Sequence, residues 1–329
     1  MKKVLVIQTA FIGDVILATS LLETLHKHSK EQLQIDLLVR KGNEGLLEGH
    51  PFINEVLIWN KKNGKYQALL NLKKTLRKTK YDIVYNLQRF GGTGWLTWRS
   101  GARTKVGFKK NPFAFGFNRK YEHEIGTGLH EIERNFQLIK EDLSPNASIE
   151  KPRLYPGLEE LNQVRQLTDS TEQYFVLAPS SVWFTKQLPF EKWCELIKTF
   201  NKEQPIYLIG APNDSDYLKT IVDSCNDRNV INLAGKLSLL ASAALIQNAD
   251  RTYVNDSAPL HLASAVNAPV TAFFCSTVPS FGFGPLSDDS KIVEVTEKLY
   301  CRPCGLHGHA TCPKGHFNCG KLIHISSQN

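Results

Sequence analysis

Five polar stretches in this 329-residue chain hold residue types that can do chemistry, and each lies just past a short apolar run. In Phe11-Ile12-Gly13-Asp14, Gly13 permits a tight turn and places Asp14 at a helix start. A carboxylate there can take a proton from an attacking hydroxyl, or it can simply cap the helix. Ala178-Pro179-Ser180-Ser181 is followed by Trp183, Lys186 and Pro189. Two hydroxyls and an ammonium suit a diphosphate, although a serine-rich turn with an exposed lysine reads the same way. Asn255-Asp256-Ser257-Ala258-Pro259-Leu260-His261 opens a small-residue helix whose N-terminus attracts anions. Its alternative is a capped core helix, with His261 a structural histidine. Asp214, in Gly210-Ala211-Pro212-Asn213-Asp214, can meet a ribose as acids do in dinucleotide folds. Asp214-Ser215-Asp216 is also formally a D-x-D metal pair, but Asp is common at helix starts. Gly91-Gly92-Thr93-Gly94, flanked by Arg89, Arg99 and Arg103, offers flexible backbone and cations to an anionic acceptor, or is a mobile loop with ordinary surface charge.

A sixth cluster lies near the end. Seven cysteines occur, none before Cys194, and Cys301, Cys304, Cys312 and Cys319 crowd together among three histidines. Four thiolates suffice for a structural zinc site; disulfides and free thiols are the alternatives. The uneven distribution points to a cytosolic chain with one local cysteine site, not to a secreted disulfide framework.

These stretches need elements to position them. Apolar runs at Val4–Ile7, Ile35–Val39, Val56–Trp59 and Ile83–Asn86 predict strands, with Lys105–Phe108 as a further one. Helical spacing at 14–28 and 66–79 separates them. Residues 143–157 hold three prolines and no clear period, which predicts a boundary near 155. The alternation then restarts, with strands expected at 174–178, 206–209, 230–233, 252–255 and 270–274, and helices at 190–201, 214–224, 239–247 and 259–266. Strand–helix alternation implies parallel βαβ units. The expected architecture is two Rossmann-like, doubly wound α/β domains, 1–155 and 156–329, facing across a cleft, with 301–319 as a cysteine-rich tail.

Composition narrows the class. A 42% hydrophobic fraction suits packed cores, and no apolar segment reaches the roughly 20 residues of a membrane span. The N-terminal apolar run stops at Gln8 and reads as a strand, not a signal peptide. The net charge of +8 favours anionic partners: phosphates, acidic lipid or nucleic acid. Scattered basic residues and the lack of a recognised nucleic-acid module argue against the last.

The order of the motifs resembles glycosyltransferase family nine, which includes the lipopolysaccharide core heptosyltransferases. I-G-D-V-I-L-A-T from Ile12, S-x-W-x-x-K-x-L-P from Ser181 and N-D-S-A-P-L-H-L-A-S-A from Asn255 carry the resemblance, which runs from about Lys3 to the cysteine cluster. The resemblance implies a GT-B fold and an inverting transfer requiring no cofactor. It implies Asp14 as general base and Ser180, Ser181, Lys186, Asp214, Asp256, Ser257, Ala258 and His261 as donor-binding residues. The donor implied is ADP-heptose. The acceptor implied is an anionic glycolipid at the membrane surface, reached by a cytoplasmic enzyme at the inner face, with Arg89, Arg99 and Arg103 as acceptor candidates. Two positions depart from the family pattern. Ala258 replaces a usual glycine, and Lys186-Gln187-Leu188-Pro189 replaces K-R-W-P. A nucleotide-sugar epimerase on the same scaffold and a basic nucleic-acid-binding protein are the competing classes.

Overall fold

The structure is a computed structural model and describes residues 1–62, 64–168 and 173–325. The chain divides into two compact units, Met1–Tyr155 and Pro156–Asn329.

In the first unit the elements run β1 (Lys2–Ile7), α1 (Ile12–His28), β2 (Leu33–Arg40), β3 (Ile53–Trp59), α2 (Lys65–Thr79), β4 (Ile83–Asn86), α3 (Gly91–Arg99), β5 (Thr104–Phe108), β6 (Arg119–Tyr121) and α4 (Glu131–Ile139). Six parallel strands pair in the order β3-β2-β1-β4-β5-β6. Strands covered on both faces read as unbroken apolar runs, and Val4 to Ile7 are fully buried. Helix α2 shows the other pattern: Leu72 and Leu76 turn inward while Lys74, Arg77 and Lys78 face water.

The second unit repeats the plan. It contains α5 (Leu158–Leu167), β7 (Phe175–Ala178), α6 (Phe190–Thr199), β8 (Ile206–Leu208), α7 (Ser215–Ser224), β9 (Val230–Asn232), α8 (Leu239–Gln247), β10 (Arg251–Asn255), α9 (Ala258–Ala265), β11 (Val270–Phe274), β12 (Ser290–Glu294) and α10 (Asn318–Lys321). Its parallel order is β12-β11-β10-β7-β8-β9. Trp193, Leu196, Ile206 and Phe273 form its core, and Phe317 and Cys319 of the cysteine-rich tail, with Ile323 just beyond it, are buried in that same cluster.

Three differences from the sequence reading have physical causes. The edge strands β6 and β12 are not apolar runs, because each is paired on one side only; β12 exposes Ser290, Lys291, Ile292 and Glu294. Helix α4 starts on a histidine cap: His130 Nδ1 accepts the Ile132 N–H at 3.3 Å, and Glu133 accepts the His130 N–H at 2.6 Å. The stretch Gly91–Gly94, expected as flexible loop, is the first turn of α3. Its glycines allow close packing instead of motion. A Cβ on Gly92 would stand 2.6 Å from the Trp59 ring, and one on Gly94 would stand 1.9 Å from Asn111 Oδ1. Asn111 cannot easily withdraw, since its amide donates to the Gln88 and Phe90 carbonyls at 3.0 and 3.2 Å. Gly94→Ala should therefore destabilise the protein by about 1–3 kcal/mol through overpacking, read as a lower midpoint in urea unfolding.

Candidate functional site

In an open parallel sheet, crossovers leave on opposite sides at one point, and the gap at the carboxyl ends there is not covered by a helix. Unit one has this switch between β1 and β4, and unit two has it between β7 and β10. The Asp14, Ser180–Lys186 and Asn255–His261 stretches all follow one of these four strands.

At the first switch, Leu87 N–H donates to the Ile7 carbonyl at 3.1 Å, and the Gln88 amide hydrogen-bonds Gln8 Oε1. Asp14 lies in the first turn of α1, and its carboxylate reaches back to accept the Phe11 N–H at 3.2 Å. It thus satisfies the backbone at the helix start without being the cap residue, and it is partly buried. Burial pushes its carboxyl up to about 6, the negative charge of Glu131 adds to this, and backbone N–H groups and Arg89 act against it. Glu131 is itself buried, which by itself would raise its carboxyl. His123 Nε2 at 3.1 Å and Arg134 Nε at 2.8 Å overcome that and hold it below the ordinary range. A buried carboxylate whose ionised form is favoured by His123 and Arg134 therefore sits within electrostatic reach of Asp14.

The three arginines expected together are not gathered. Arg89 acts on Asp14 from the end of β4. Arg99 is at the far end of α3 and lies over the Trp98 ring at 4.0 Å. Arg103 precedes β5 and faces Asp82, which precedes β4, at 3.8 Å, so it belongs to the opposite, amino-terminal edge of the sheet. Two other cations occupy the carboxyl edge. Arg40 ends β2 and lies 4.9 Å from the Phe11 ring centroid. Lys61, just past β3, donates to the Thr9 carbonyl and hydroxyl at 2.9 and 3.1 Å and lies over Trp59. The sequence reading missed both; their position two residues or fewer from the end of a strand was the available signal.

At the second switch, the buried Asn255 bridges the two strand ends. Its amide donates to the Pro179 carbonyl at 2.7 Å, and its oxygen accepts the Leu188 N–H at 2.8 Å. Lys186 Nζ pairs with Asp256 at 2.6 Å, and the same carboxylate oxygen accepts the Thr277 hydroxyl at 2.6 Å. An ammonium has three N–H donors, so this pair fixes its direction without exhausting it. Ser180 Oγ donates to Asp214 at 2.8 Å, and Asp214 also accepts the Ala211 N–H at 2.7 Å. Asp214 therefore organises the loop that bears Ser180 as well as standing at the N-cap of α7. Ser181 offers its carbonyl to the Gln187 amide at 2.7 Å. Ser257 lies just ahead of α9, Ala258 opens that helix, and His261 is buried within it. Thr277 is the site residue no motif announced.

In the tail all four thiols are free, and Cys301 Sγ lies 3.9 Å from His316 Nε2. Burial raises the Cys319 thiol to about 11, and the neighbouring cysteines Cys304, Cys312 and Cys301 add to it. The four cysteines thus sense one another. Among the described residues, however, no three His, Cys, Asp or Glu are arranged to hold a metal ion, unlike the tetrahedral set their spacing allows.

The sequence matches the family description Glycosyltransferase family 9 (heptosyltransferase) over residues 69–312. The chain belongs to this family. It is 27% identical over 279 residues to lipopolysaccharide heptosyltransferase 3 of Escherichia coli, spanning 81% of this chain and 82% of that protein. In structure it resembles the E. coli ADP-heptose lipopolysaccharide heptosyltransferase II, with a TM-score of 0.78 at 22% identity over 92% of this chain and 96% of that one. It also resembles the E. coli heptosyltransferase WaaC with ADP, with a TM-score of 0.69 at 20% identity over 88% and 92%. The fold is GT-B, and the family match supports the glycosyltransferase class. Among the described residues no helix is long and apolar enough to cross a membrane.

The raised carboxyl has a thermodynamic consequence. A folded value of about 6 against an ordinary 3.8 means the folded state holds its proton more tightly. Stability is therefore lost as pH rises from about 4 to about 6 and stays lost above. Asp14→Asn should stabilise this family 9 enzyme near pH 7 by up to about 3 kcal/mol, with the gain fading below pH 4, as read by denaturant unfolding across pH.

Proposed function

We propose that this chain transfers a heptose, with inversion, from ADP-heptose to a lipopolysaccharide-core glycolipid. The observation that carries the reading is Asp14 at the first switch point, with a carboxyl pushed up to about 6. A base of that strength is ionised at neutral pH yet can accept a hydroxyl proton as the transition state forms. The names of the relatives, heptosyltransferases of lipopolysaccharide and one seen with ADP, support the donor and acceptor classes.

In the proposed reaction the acceptor hydroxyl loses its proton to Asp14 as its oxygen attacks the anomeric carbon. The bond from that carbon to the diphosphate breaks from the opposite side, and ADP leaves with the electron pair. Unit one takes the acceptor and unit two the donor. Lys186, the hydroxyls of Ser180, Ser181 and Ser257, and the N-terminus of α9 meet the charge growing on the diphosphate. Lys186 meets that charge in place of a divalent metal. Asp214 and His261 complete the donor site. Arg89, with Arg40 and Lys61, supplies the cations for an anionic acceptor. The charge of +8 draws the enzyme to the inner face of the membrane, where such an acceptor resides.

Asp14→Asn should lose turnover by about 100-fold or more while ADP still binds; full turnover in that variant would remove Asp14 as the base. The pH dependence of kcat/KM should show an acidic limb near 6. Glu131→Gln removes a neighbouring negative charge and should move that limb to lower pH in a variant that still folds.

A further inference from the structure

The cysteine-rich tail packs against the loop that carries Lys186, and the contacts are reciprocal. The Thr185 N–H donates to the His309 carbonyl at 3.1 Å, and the His309 N–H donates to Thr185 Oγ1 at 2.8 Å. The same hydroxyl accepts Ser276 Oγ at 3.0 Å, while the Ser276 N–H donates to the Thr185 carbonyl at 3.2 Å. The Cys304 N–H donates to the Ser276 carbonyl at 2.9 Å, closing the connection back to the tail. Thr185 is buried, so none of this is a loose surface contact.

Gly308 shows how closely the tail fits. It has φ +79°, and a Cβ there would stand 2.9 Å from Lys186 Cγ and 3.0 Å from Thr185 Oγ1. The lysine stem therefore runs against tail backbone. Arg302 anchors the tail's start by donating to the Phe274, Cys275 and Thr277 carbonyls at 2.7 to 3.1 Å. Thr277 is the residue whose hydroxyl holds Asp256, the partner of Lys186. The far end is held by the Phe184 and Phe317 rings, 5.1 Å apart.

We infer that the Cys301–Cys319 tail is part of the donor site: it straps the loop at Thr185 and aims Lys186 at a nucleoside diphosphate. The inference rests on the donor-binding reading of unit two. A free lysine side chain gives up much of its rotamer entropy when it is ordered. A stem already confined by Gly308 and Thr185 has lost part of that before the ligand arrives, which is preorganisation. Thr185 and Gly308 are thus positioning residues acting through Lys186.

The test is ADP binding by calorimetry to the full chain, in wild-type and Lys186→Ala backgrounds. Thr185→Val and Gly308→Ala should each weaken ADP about tenfold, whereas Thr185→Ser, which keeps the hydroxyl, should bind nearly as wild type. In the Lys186→Ala background the same two changes should add less than about twofold, because neighbours acting through one group are not additive. Should Gly308→Ala fail to fold, Thr185→Val and Thr185→Ser carry the comparison. Unchanged affinity in a folded Thr185→Val, or losses that simply add to that of Lys186→Ala, would overturn the strap. If Lys186→Ala itself leaves ADP affinity unchanged, the donor-binding reading of unit two fails instead.

Discussion

Parallel strands cannot be joined by tight turns, and every crossover must be right-handed. That constraint decides where chemistry can sit in this protein. Strands β1 and β4 are neighbours in the sheet but not in the chain, as are β7 and β10. Their crossovers leave in opposite directions and the carboxyl ends stay uncovered. Polar groups placed there face a ligand without the cost of burial in a core. Asp14, Arg89, Lys186 and Asp256 all stand within one to eight residues of such an end, which is why short motifs after apolar runs point to them.

Within unit one, two carboxylates are driven in opposite directions by their surroundings. Glu131 is buried, yet His123 and Arg134 hold it ionised. Asp14 makes no ion pair among the described residues, and burial and the charge of Glu131 outweigh the backbone N–H groups and Arg89, leaving it a stronger proton acceptor than an ordinary aspartate. Carboxylates separated in this way can take separate roles, one as fixed charge and one as base. Helix α4 matters for this reason, since its first turn brings Glu131 to bear on α1.

How much of this the sequence revealed follows from what each feature looks like locally. The central strands were visible because burial on both faces demands unbroken apolar runs, as Ile83–Asn86 and Val270–Phe274 show. The edge strands were not, because Arg119–Tyr121 and Ser290–Glu294 meet water and carry ordinary polar residues. Glycine was misread at Gly91–Gly94: local rules credit it with freedom, but Trp59 and Asn111, distant in the chain, are what require it. Pairings such as Lys186 with Asp256 and Ser180 with Asp214 join segments 70 and 34 residues apart. No motif specifies them, although the residues were each visible as candidates. Arg103 looked like a site cation by sequence distance alone, and its position at the amino-terminal edge reflects which end of β5 it precedes.

The departures from the family pattern in the 180–189 loop are explained by the way that loop is held. Leu188, where the family has tryptophan, is buried beside Trp193 and gives its N–H to Asn255. Gln187, where the family has arginine, spends its amide on the Ser181 carbonyl, and its own carbonyl lies 3.6 Å from Cys275 Sγ. Both changed residues therefore point into loop and core contacts, while Lys186 keeps its pair with Asp256. A loop whose side chains are spent on its own scaffold can lose an arginine without losing the direction of its lysine. In the proposed donor site this loop offers one cation fewer than the family pattern, which leaves Lys186, and whatever confines it, the larger share of the electrostatic work proposed there.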